Sequence, residues 1–335
     1  MLKHRIVLAV LFCVLPSLCF AEQPLNASQQ QHVHLFINKM VHQHHFNRED
    51  LIHILNRAEF NTDVISKMTR PYESKPWHVY RNFFITEQRI AGGVQFWKKN
   101  QKILQQVQQR YGVPPQIIVA IIGIETNYGQ HLGSYSTLDT LYTLAFNYPR
   151  RSQFFESELA HFLLLCREQK LNPFTVKGSY AGAIGLPQFM PSSYRFYAID
   201  NDGSKRIDLV HDQADAIASV ANYLSKAGWK PNQPVAVPAT VKGKKFERIE
   251  ANSLKPNMPV ARLEYVGIKP ITKLSFQQNA TFIQLMDQNQ PEYWLGLHNF
   301  YVISRYNPQL SYTMAVYLLS EEIKADHRRQ LLARR

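Results

Sequence analysis

The pattern of hydrophobic positions along the chain predicts a mainly helical protein. From Ser28 to Phe46, apolar residues recur every three or four positions, which is the spacing of one helix face. The same spacing predicts helices over 86–111, from Pro114 onward, over 152–170, near Pro191 and over 212–227, where Gly228 follows the last of them. Helix is predicted again from about Thr281 and over 310–323, with a frayed or surface-bound basic tail after it.

The pattern changes after Trp229. Between 231 and 274, prolines interrupt short β-branched runs such as 235–237 and 265–266, which is typical of a small β-rich unit. We therefore divide the chain into a signal segment (1–21), an N-terminal helical lobe (22–100), a core (101–230), a β-rich insertion (231–280), C-terminal helices (281–323) and a basic tail (324–335).

The N-terminus has the features of a secretory signal. Lys3 and Arg5 precede an apolar run that is too short to span a membrane comfortably, and 19–21 offers small residues for cleavage after Ala21. An uncleaved anchor and a lipid-modified Cys19 are the alternatives. Cleavage would leave Cys166 as the single cysteine, so no disulfide could form within the chain, and its helical context favours buried packing.

The charge of the chain is strongly basic. Its 38 Lys and Arg against 25 Asp and Glu give +13, and loss of Lys3 and Arg5 with the signal would leave +11. A basic exported protein suits an anionic partner such as peptidoglycan stem peptides or lipid head groups. Nucleic acid would also suit the charge, but the predicted export and the lack of a nucleic-acid-binding motif weigh against it.

The most informative candidate for chemistry is Glu125. On a helix, Ile118, Ile121 and Ile122 lie seven, four and three residues before it and therefore share its face. Burial of a carboxylate on an apolar face raises its pKa, and a general acid near neutral pH needs that property. A glutamate paired with arginine, or capped by backbone N–H groups, is the structural alternative.

Two further segments offer groups that recognise sugars. The stretch 178–193 is a glycine-rich loop in which Ser179 and Gln188 supply neutral hydrogen-bonding groups. Aromatic rings stack on the apolar faces of sugars, and candidate tyrosines occur at Tyr80, Tyr223, Tyr301, Tyr306 and Tyr312. A packed turn and ordinary core tyrosines would explain part of the same pattern.

Taken together, these segments resemble one family, the membrane-bound lytic murein transglycosylase B type with its goose-lysozyme-like core. The resemblance runs from about Ser28 to Leu319 and is carried by 124–126, 147–151, 178–193, 221–223 and 305–307. It implies a mainly α fold, in which a lysozyme-like catalytic core has a flanking helical lobe, a small β-rich insertion and C-terminal helices that complete a glycan groove.

The resemblance also implies roles for individual residues. Glu125 would be the catalytic acid/base. The groove would be lined by Ser179, Gln188, Tyr223, Tyr306, Asn307 and Tyr312, with Arg150 and Arg151 facing the peptide or carboxylate side of the substrate and Tyr80 in one wall.

The reaction implied is cleavage of the β-1,4 bond between MurNAc and GlcNAc in peptidoglycan, with formation of 1,6-anhydroMurNAc ends and no catalytic cofactor. No second carboxylate lies near Glu125 in sequence, although Asp139 could approach it in the fold. A hydrolytic muramidase using the same glutamate, or a non-catalytic peptidoglycan-binding protein, are the alternatives. The implied setting is the periplasm, as a monomer with peripheral membrane association.

The segment 200–208 resembles the start of an EF-hand calcium loop, with oxygen-bearing side chains at alternate positions. Lys205 and His211 stand where that loop has Gly and Glu. The family resemblance implies a structural Ca²⁺ held by Asp200, Asp202, Ser204, the backbone oxygen of Arg206 and Asp215, with Asp212 as the rival last ligand. A solvated Asp-rich turn that caps the next helix is the alternative.

Overall fold

The computed structural model describes residues 26–69 and 75–333, so the predicted signal segment lies outside the described residues. The helices of the first half are α1 (Ala27–His44), α2 (Arg48–Asn56), α3 (Thr62–Met68), α4 (Trp77–Phe84), α5 (Glu87–Lys99), α6 (Gln101–Tyr111) and α7 (Pro115–Thr126). Across the described ranges, none of the helices has both the length and the hydropathy that crossing a membrane requires.

The second half contributes both further helices and the strands. The helices are α8 (Thr137–Asn147), α9 (Ser152–Gln169), α10 (Pro191–Tyr197), α11 (Gln213–Lys226), α12 (Val260–Tyr265), α13 (His298–Ser304) and α14 (Leu310–Leu332). A two-residue pairing joins β1 (Tyr135–Ser136) to β2 (Lys177–Gly178). The strands β3 (Ala236–Val241), β4 (Met258–Pro259), β5 (Ile268–Pro270), β6 (Asn279–Asp287) and β7 (Gln290–Gly296) form one antiparallel sheet in the order β4-β6-β7-β3-β5.

The prediction of a single helix over 86–111 is wrong, because the chain leaves helical geometry at Asn100. Its backbone has φ −106° and ψ 21°, and its amide Nδ2 donates to the Phe96 carbonyl at 3.0 Å and to Gln213 Oε1 at 3.2 Å. Asparagine side chains compete with the helix for backbone partners in this way. The result is a bend between α5 and α6 that sets both helices against the same core.

The prediction that helix resumes at Thr281 is also wrong. Residues 279–296 form the hairpin of β6 and β7, with Thr281 opposite Gly296 and Asp287 opposite Gln290, and helix begins only at His298. A short apolar run has no clear period of its own, so pairing with a partner strand decides its conformation. The β-rich unit therefore extends past the predicted boundary at 280.

The basic tail is more ordered than predicted. Helix α14 continues without a break to Leu332, and the His327 ring stacks on Trp97 at 4.3 Å with an interplanar angle of 5°. This contact fixes the end of α14 against α5.

Two large hydrophobic clusters organise the helices. The first surrounds α7, whose isoleucines are buried, and draws on α4, α5, α6, α11, α13 and α14. The second joins α1, α2 and α3 to α8 and α9, and it buries Cys166 as predicted. The segment 22–100, predicted as one lobe, is thus divided between both clusters. Tyr223 and Tyr306 contact both, so they mark the seam between the clusters.

Helix α7 is held in place by close contact with Tyr128. A Cβ added to Gly123 would lie 2.6 Å from the Tyr128 hydroxyl, and that hydroxyl donates to the Arg89 carbonyl at 2.7 Å. Gly92 and Gly93 approach the same side chain, and Phe96 lies 5.7 Å from its ring. The ring is therefore packed closely against α5 and α7 on the side of these residues.

We expect Gly123→Ala to lower the free energy of unfolding by about 1–3 kcal/mol, because the added methyl group overpacks this contact. Chemical denaturation followed by circular dichroism measures the change. At a helical glycine with space around it, substitution by alanine would instead raise the free energy of unfolding by up to about 1 kcal/mol. A stabilised variant would therefore contradict the packing described.

Candidate active site

A groove of about 540 Å³ opens along the seam between the two clusters. It is lined by Glu125, Arg151, Phe154, Phe155, Glu158, Ser179, Tyr180, Ala181, Ala183, Gln188, Met190, Ser192, Ser193, Tyr223, Arg305, Tyr306, Asn307 and Pro308. Aromatic rings, neutral hydrogen-bonding groups and a few charged groups share its surface, which is the composition that sugar chains require.

Glu125 lies in the last turn of α7, where the helix is anchored on both sides. The Thr126 hydroxyl is 3.2 Å from the Ile122 carbonyl and 3.1 Å from the Leu186 carbonyl, and it accepts from the Gly129 N–H at 3.1 Å. Asn127 then ends the helix in the left-handed conformation, with φ 49°. The carboxylate is thereby fixed at the groove, half-buried, at the end of an otherwise buried helix.

The Tyr312 hydroxyl donates a hydrogen bond to Glu125 Oε1 at 2.7 Å. Tyr312 is only 2% exposed, and burial, together with the adjacent Glu125, raises the pKa of its hydroxyl well above the ordinary value. The hydroxyl therefore keeps its proton and acts as a permanent donor to the carboxylate. This bond joins α7 to α14 across 187 positions of sequence.

Aromatic rings continue from Tyr312 along the groove. The Tyr306 ring lies parallel to Tyr312 with centroids 6.4 Å apart, and Tyr223 meets Tyr306 at 4.9 Å and 63°. The Tyr306 hydroxyl donates to the Pro187 carbonyl, and the Tyr223 hydroxyl to the Arg305 carbonyl. Burial raises the pKa of Tyr223 to about 12. The rings are therefore neutral, rigid surfaces.

The glycine-rich loop 178–193 supplies the polar groups opposite these rings. The Ser179 hydroxyl accepts from the backbone N–H groups of Ala181 and Ala183 at 3.2 and 3.1 Å. Gln188 has a left-handed φ of 49°, and its Nε2 donates to Leu132 and Gly185 carbonyls at 3.2 and 2.9 Å. Strain of this kind is common at functional sites. Gly185 has φ 77° and lies close to the Leu209 carbonyl: a Cβ at position 185 would be 2.4 Å from that oxygen. Glycine therefore allows the loop to approach Leu209.

The structure brings most of the predicted groove residues together. Glu125, Arg151, Ser179, Gln188, Tyr223, Tyr306 and Asn307 line one cavity, and Tyr312 lies directly behind Glu125.

Two predicted residues do not line the groove. Tyr80 is 1% exposed and packs on Phe84 in the first cluster, with ring centroids 4.7 Å apart, so it supports the Tyr312 side of the site from within the core. Arg150 is exposed in the short turn 149–151, and its neighbour Arg151 lines the cavity. Adjacent residues of a turn point in different directions, so only one of the two arginines reaches the groove.

Glu158 is a groove residue that sequence reasoning missed. It is 4% exposed, and its carboxylate accepts from the Ser192 N–H at 2.9 Å and from the Ser192 hydroxyl at 2.7 Å. Burial raises its pKa, opposed by the Ser192 hydrogen bonds and by the charge of Arg151. The overlooked signal is a lone acid on the helix face formed by Phe155, Leu159 and Phe162.

Asp139, the other candidate for a second carboxylate, does not line the groove. Its side chain instead accepts a hydrogen bond from the Glu59 N–H at 3.0 Å.

The loop 200–215 gathers three carboxylates outside the groove. Oxygen atoms of Asp200, Asp202 and Asp215 all lie within 4.8 Å of one another. Asp215 is 1% exposed, and burial raises its pKa, as do the charges of Asp212 and Asp202, against hydrogen bonds from the Asn201 and Asp208 N–H groups. Mutual repulsion of this kind is relieved by a bound cation, so the residues present fit a metal ion.

Hydrogen bonds within the loop hold its backbone close to the carboxylates despite its unusual residues. Lys205, where glycine is expected, adopts φ 65°, and its N–H donates to Asp200 Oδ2 at 2.8 Å. The Ser204 hydroxyl donates to the Arg206 carbonyl at 2.9 Å. Asp212 caps α11 by accepting from the N–H groups of Ala214 and Asp215. Its carboxylate therefore has a capping role, which leaves Asp215 as the better candidate for the last ligand.

Comparison with known proteins gives one consistent result. The family model "Transglycosylase SLT domain" matches residues 28–321. Membrane-bound lytic murein transglycosylase B of Escherichia coli strain K12 is 41% identical over 314 residues, covering 91% of this chain and 84% of that protein.

Two solved structures extend the similarity to the fold. Soluble lytic transglycosylase SltB1 from Pseudomonas aeruginosa is 41% identical with a TM-score of 0.83, covering 88% of this chain and 99% of that one. The Escherichia coli lytic transglycosylase Slt35, solved in complex with calcium, is 40% identical with a TM-score of 0.82, covering 90% and 94%. The chain belongs to the transglycosylase SLT domain family and is a peptidoglycan lytic transglycosylase with the predicted mainly α, lysozyme-like fold.

We expect Glu158 to impose a specific pH dependence on stability. Because burial raises its pKa in the folded state, stability falls as pH rises from the ordinary glutamate pKa, about 4.3, through the raised value. Glu158→Gln has no proton to lose, so its thermal midpoint should fall less than that of the parent over that window. Thermal unfolding followed across the acid range measures this difference.

Glu168, on the same helix, is the matched control. The hydrogen bond from Arg195 lowers its pKa, so it contributes stability above the ordinary pKa that is lost as pH falls. The thermal midpoint of Glu168→Gln should therefore rise less than that of the parent as pH increases from the lowered pKa to the ordinary value. If the thermal midpoint of Glu158→Gln changes with pH in parallel with that of the parent, the buried carboxylate of Glu158 does not cause the predicted loss of stability.

Proposed function

We propose that the groove cleaves the β-1,4 bond between MurNAc and GlcNAc and that Glu125 serves first as acid and then as base. Glu125 gives its proton to the glycosidic oxygen as the bond from that oxygen to C1 of MurNAc breaks, so GlcNAc leaves with a free hydroxyl. The substrate's N-acetyl group supports the positive charge that develops at C1. The C6 hydroxyl of the same MurNAc then attacks C1, and its proton returns to Glu125. The product is a 1,6-anhydro ring, and neither water nor a cofactor is consumed.

The observation that carries this proposal is the setting of Glu125. Its half-buried carboxylate faces a groove large enough for sugar rings, and the Tyr312 hydroxyl holds one oxygen at 2.7 Å. A neutral donor orients a carboxylate without bringing a positive charge to it, which suits a group that must take up and release a proton. Tyr312 thus positions the group that reacts.

The remaining groove residues suit recognition of a glycan strand. Tyr223 and Tyr306 offer apolar ring faces, while Ser179, Gln188 and Asn307 offer neutral hydrogen-bonding groups. Among the described residues no hydrogen bond reaches Gln188 Oε1, which is therefore available to a sugar hydroxyl. Arg151 suits the carboxylate side of the substrate. A more distant relative, SltB3 from Pseudomonas aeruginosa (27% identical, TM-score 0.79), has been solved in complex with NAG-NAM-pentapeptide, which supports a substrate of this class.

We expect Glu125→Gln to lower turnover of purified sacculi by about 100-fold or more, because the amide cannot donate or accept the required proton. Release of soluble muropeptides measures the rate. Glu321→Gln, the same chemical change on the surface of α14 beside Lys324, should leave the rate unchanged.

The products distinguish the proposed reaction from hydrolysis. Mass spectrometry should show MurNAc ends that are lighter by one water than reducing ends. Reducing ends would instead identify a hydrolytic muramidase acting through the same glutamate. Undiminished muropeptide release by Glu125→Gln would remove Glu125 from its proposed role.

We also propose that the 200–215 loop binds Ca²⁺ as a structural ion. The ligands would be the carboxylates of Asp200, Asp202 and Asp215, with Ser204 and the Arg206 carbonyl completing the set. The ion would offset the repulsion among the carboxylates and fix the loop against the start of α11. None of these ligands is among the groove-lining residues, so we propose that the ion stabilises the fold and takes no part in the reaction.

We expect saturating Ca²⁺ to raise the thermal midpoint by about 3–5 °C, since an ion that binds only the folded state stabilises it. Asp215→Asn should abolish that increase. Asp212→Asn should retain it, because asparagine caps a helix as well as aspartate does. Differential scanning calorimetry with Ca²⁺ or with chelator measures the shifts, and equal responses of both variants would contradict the proposed ligand set.

We propose further that the chain is exported to the periplasm by the signal segment 1–21 and acts there as a monomer on peptidoglycan glycan strands. The net charge of +11 that would remain after cleavage favours peripheral contact with anionic lipid head groups. The charge also suits the anionic stem peptides of the substrate, and no nucleic-acid partner is proposed.

A further inference from the structure

A second cavity, separate from the groove, lies between the helical core and the β-rich unit. Its volume is about 570 Å³. Its lining includes Lys230, Lys255, Gln278, Asn279, His298 and Tyr301. The surface is therefore built from two ammonium groups, amide groups, an imidazole and a phenol.

The wall on the core side is rigid. Asn299 is fully buried, and its side chain accepts from the Lys230 N–H at 2.9 Å and donates to the Lys230 and Gln233 carbonyls at 2.8 and 3.0 Å. His298 Nε2 lies 2.7 Å from the Gly228 carbonyl and donates to it. These bonds fix the backbone from which Lys230 extends.

The opposite wall is formed by the edge of the sheet. Asn279 pairs with Pro259 where β4 meets β6, and the Gln278 carbonyl accepts from the Val260 N–H at 3.0 Å. Lys255 lies in the segment just before β4. Both walls therefore hold their polar side chains on fixed backbone, so the cavity exists before a ligand arrives.

The charge of the cavity is positive and uncompensated. No Asp or Glu is among its lining residues, and neither Lys230 nor Lys255 forms an ion pair within 26–69 or 75–333. Ammonium groups attract carboxylates, and side-chain amides bond to peptide N–H and C=O groups. The combination matches an extended peptide that carries carboxylates better than it matches a bare sugar.

The cavity lies close to the groove. Tyr301, which lines the cavity, and Arg305, which lines the groove, are four positions apart at the end of α13. Residues so spaced lie on one helix face about 6 Å apart. A peptide of three to five residues spans about 10–17 Å when extended, so it can pass from a strand in the groove into the cavity.

We propose that this cavity binds the carboxylate-bearing stem peptide of the peptidoglycan strand that occupies the groove, with Lys230 and Lys255 as the anion-binding groups. The inference rests on the proposed function, since it assigns a second contact to the same substrate. It makes the β-rich unit part of substrate recognition, because Lys255, Gln278 and Asn279 belong to that unit.

The test is equilibrium binding of labelled glycan strands to the full chain carrying Glu125→Gln, with peptide-bearing strands compared with strands stripped of peptide. In that background, Lys230→Glu/Lys255→Glu should weaken binding of peptide-bearing strands by about three- to tenfold, with a smaller loss at high salt. Binding of stripped strands should not change.

The matched control is Lys242→Glu/Lys269→Glu, which makes the same change of charge outside the cavity, at the residue that directly follows β3 and at a residue of β5. It should leave both affinities unchanged. If the double charge reversal lowers the thermal midpoint, Lys230→Gln/Lys255→Gln provides a milder pair with the same expected selectivity.

Equal losses on both kinds of strand, no loss on either, or the same loss in the control pair would overturn the proposal. Cleavage by the unsubstituted chain is measured separately on the same strands. A chain that binds with peptide selectivity but does not cleave would contradict the proposed reaction alone. A chain that cleaves without peptide selectivity would contradict this inference alone.

Discussion

The hydrogen bond from the Tyr312 hydroxyl to Glu125 Oε1 is the contact on which the site depends. It connects the end of α7 to α14, two helices that pack side by side in the first cluster. A buried tyrosine with a strongly raised pKa is a neutral donor at any physiological pH, so this hydrogen bond orients the carboxylate without itself bringing a positive charge to it. A neutral donor in this position suits a proton-transferring group, because a cation in its place would favour the ionised form of the carboxylate.

The groove exists because the helices form two clusters instead of one. Tyr223 and Tyr306 belong to the surfaces of both, so the aromatic rings that suit sugar recognition also close the seam. The loop 178–193 reaches that seam only because Gly178 and Gly185 permit backbone contacts that a side chain would block. Packing and recognition therefore use the same residues, and a change that loosens the seam is expected to disturb both.

The parts of the fold and of the site that could be predicted from sequence are those whose signals are local. The period of apolar residues was enough to find α1, α7, α9 and α11, and an acid on the isoleucine face of α7 made Glu125 a candidate that the further motifs and the family resemblance then favoured. These signals lie within a few residues of one another. The family resemblance then supplied the groove residues on other elements.

The features that escaped prediction depend on partners distant in sequence. The strand β6 is fixed by pairing with β7, Asn100 is drawn out of helix partly by Gln213, and Glu158 is held by Ser192. Tyr80 was placed in the groove wall, but its environment is set by α14 and lies inside the core. The direction of a side chain in a turn could not be predicted from sequence either. The sequence therefore did not show that Arg151 lines the groove and that Arg150 does not.

A crystal structure of the Glu125→Gln chain with a bound peptidoglycan strand tests the central claim most directly. The account predicts that the oxygen joining MurNAc to GlcNAc lies within hydrogen-bonding distance of the residue-125 side chain, on the side away from Tyr312, with sugar rings against Tyr223 and Tyr306. A strand that binds elsewhere, or one that crosses the groove with its glycosidic oxygens out of reach of residue 125, would contradict it.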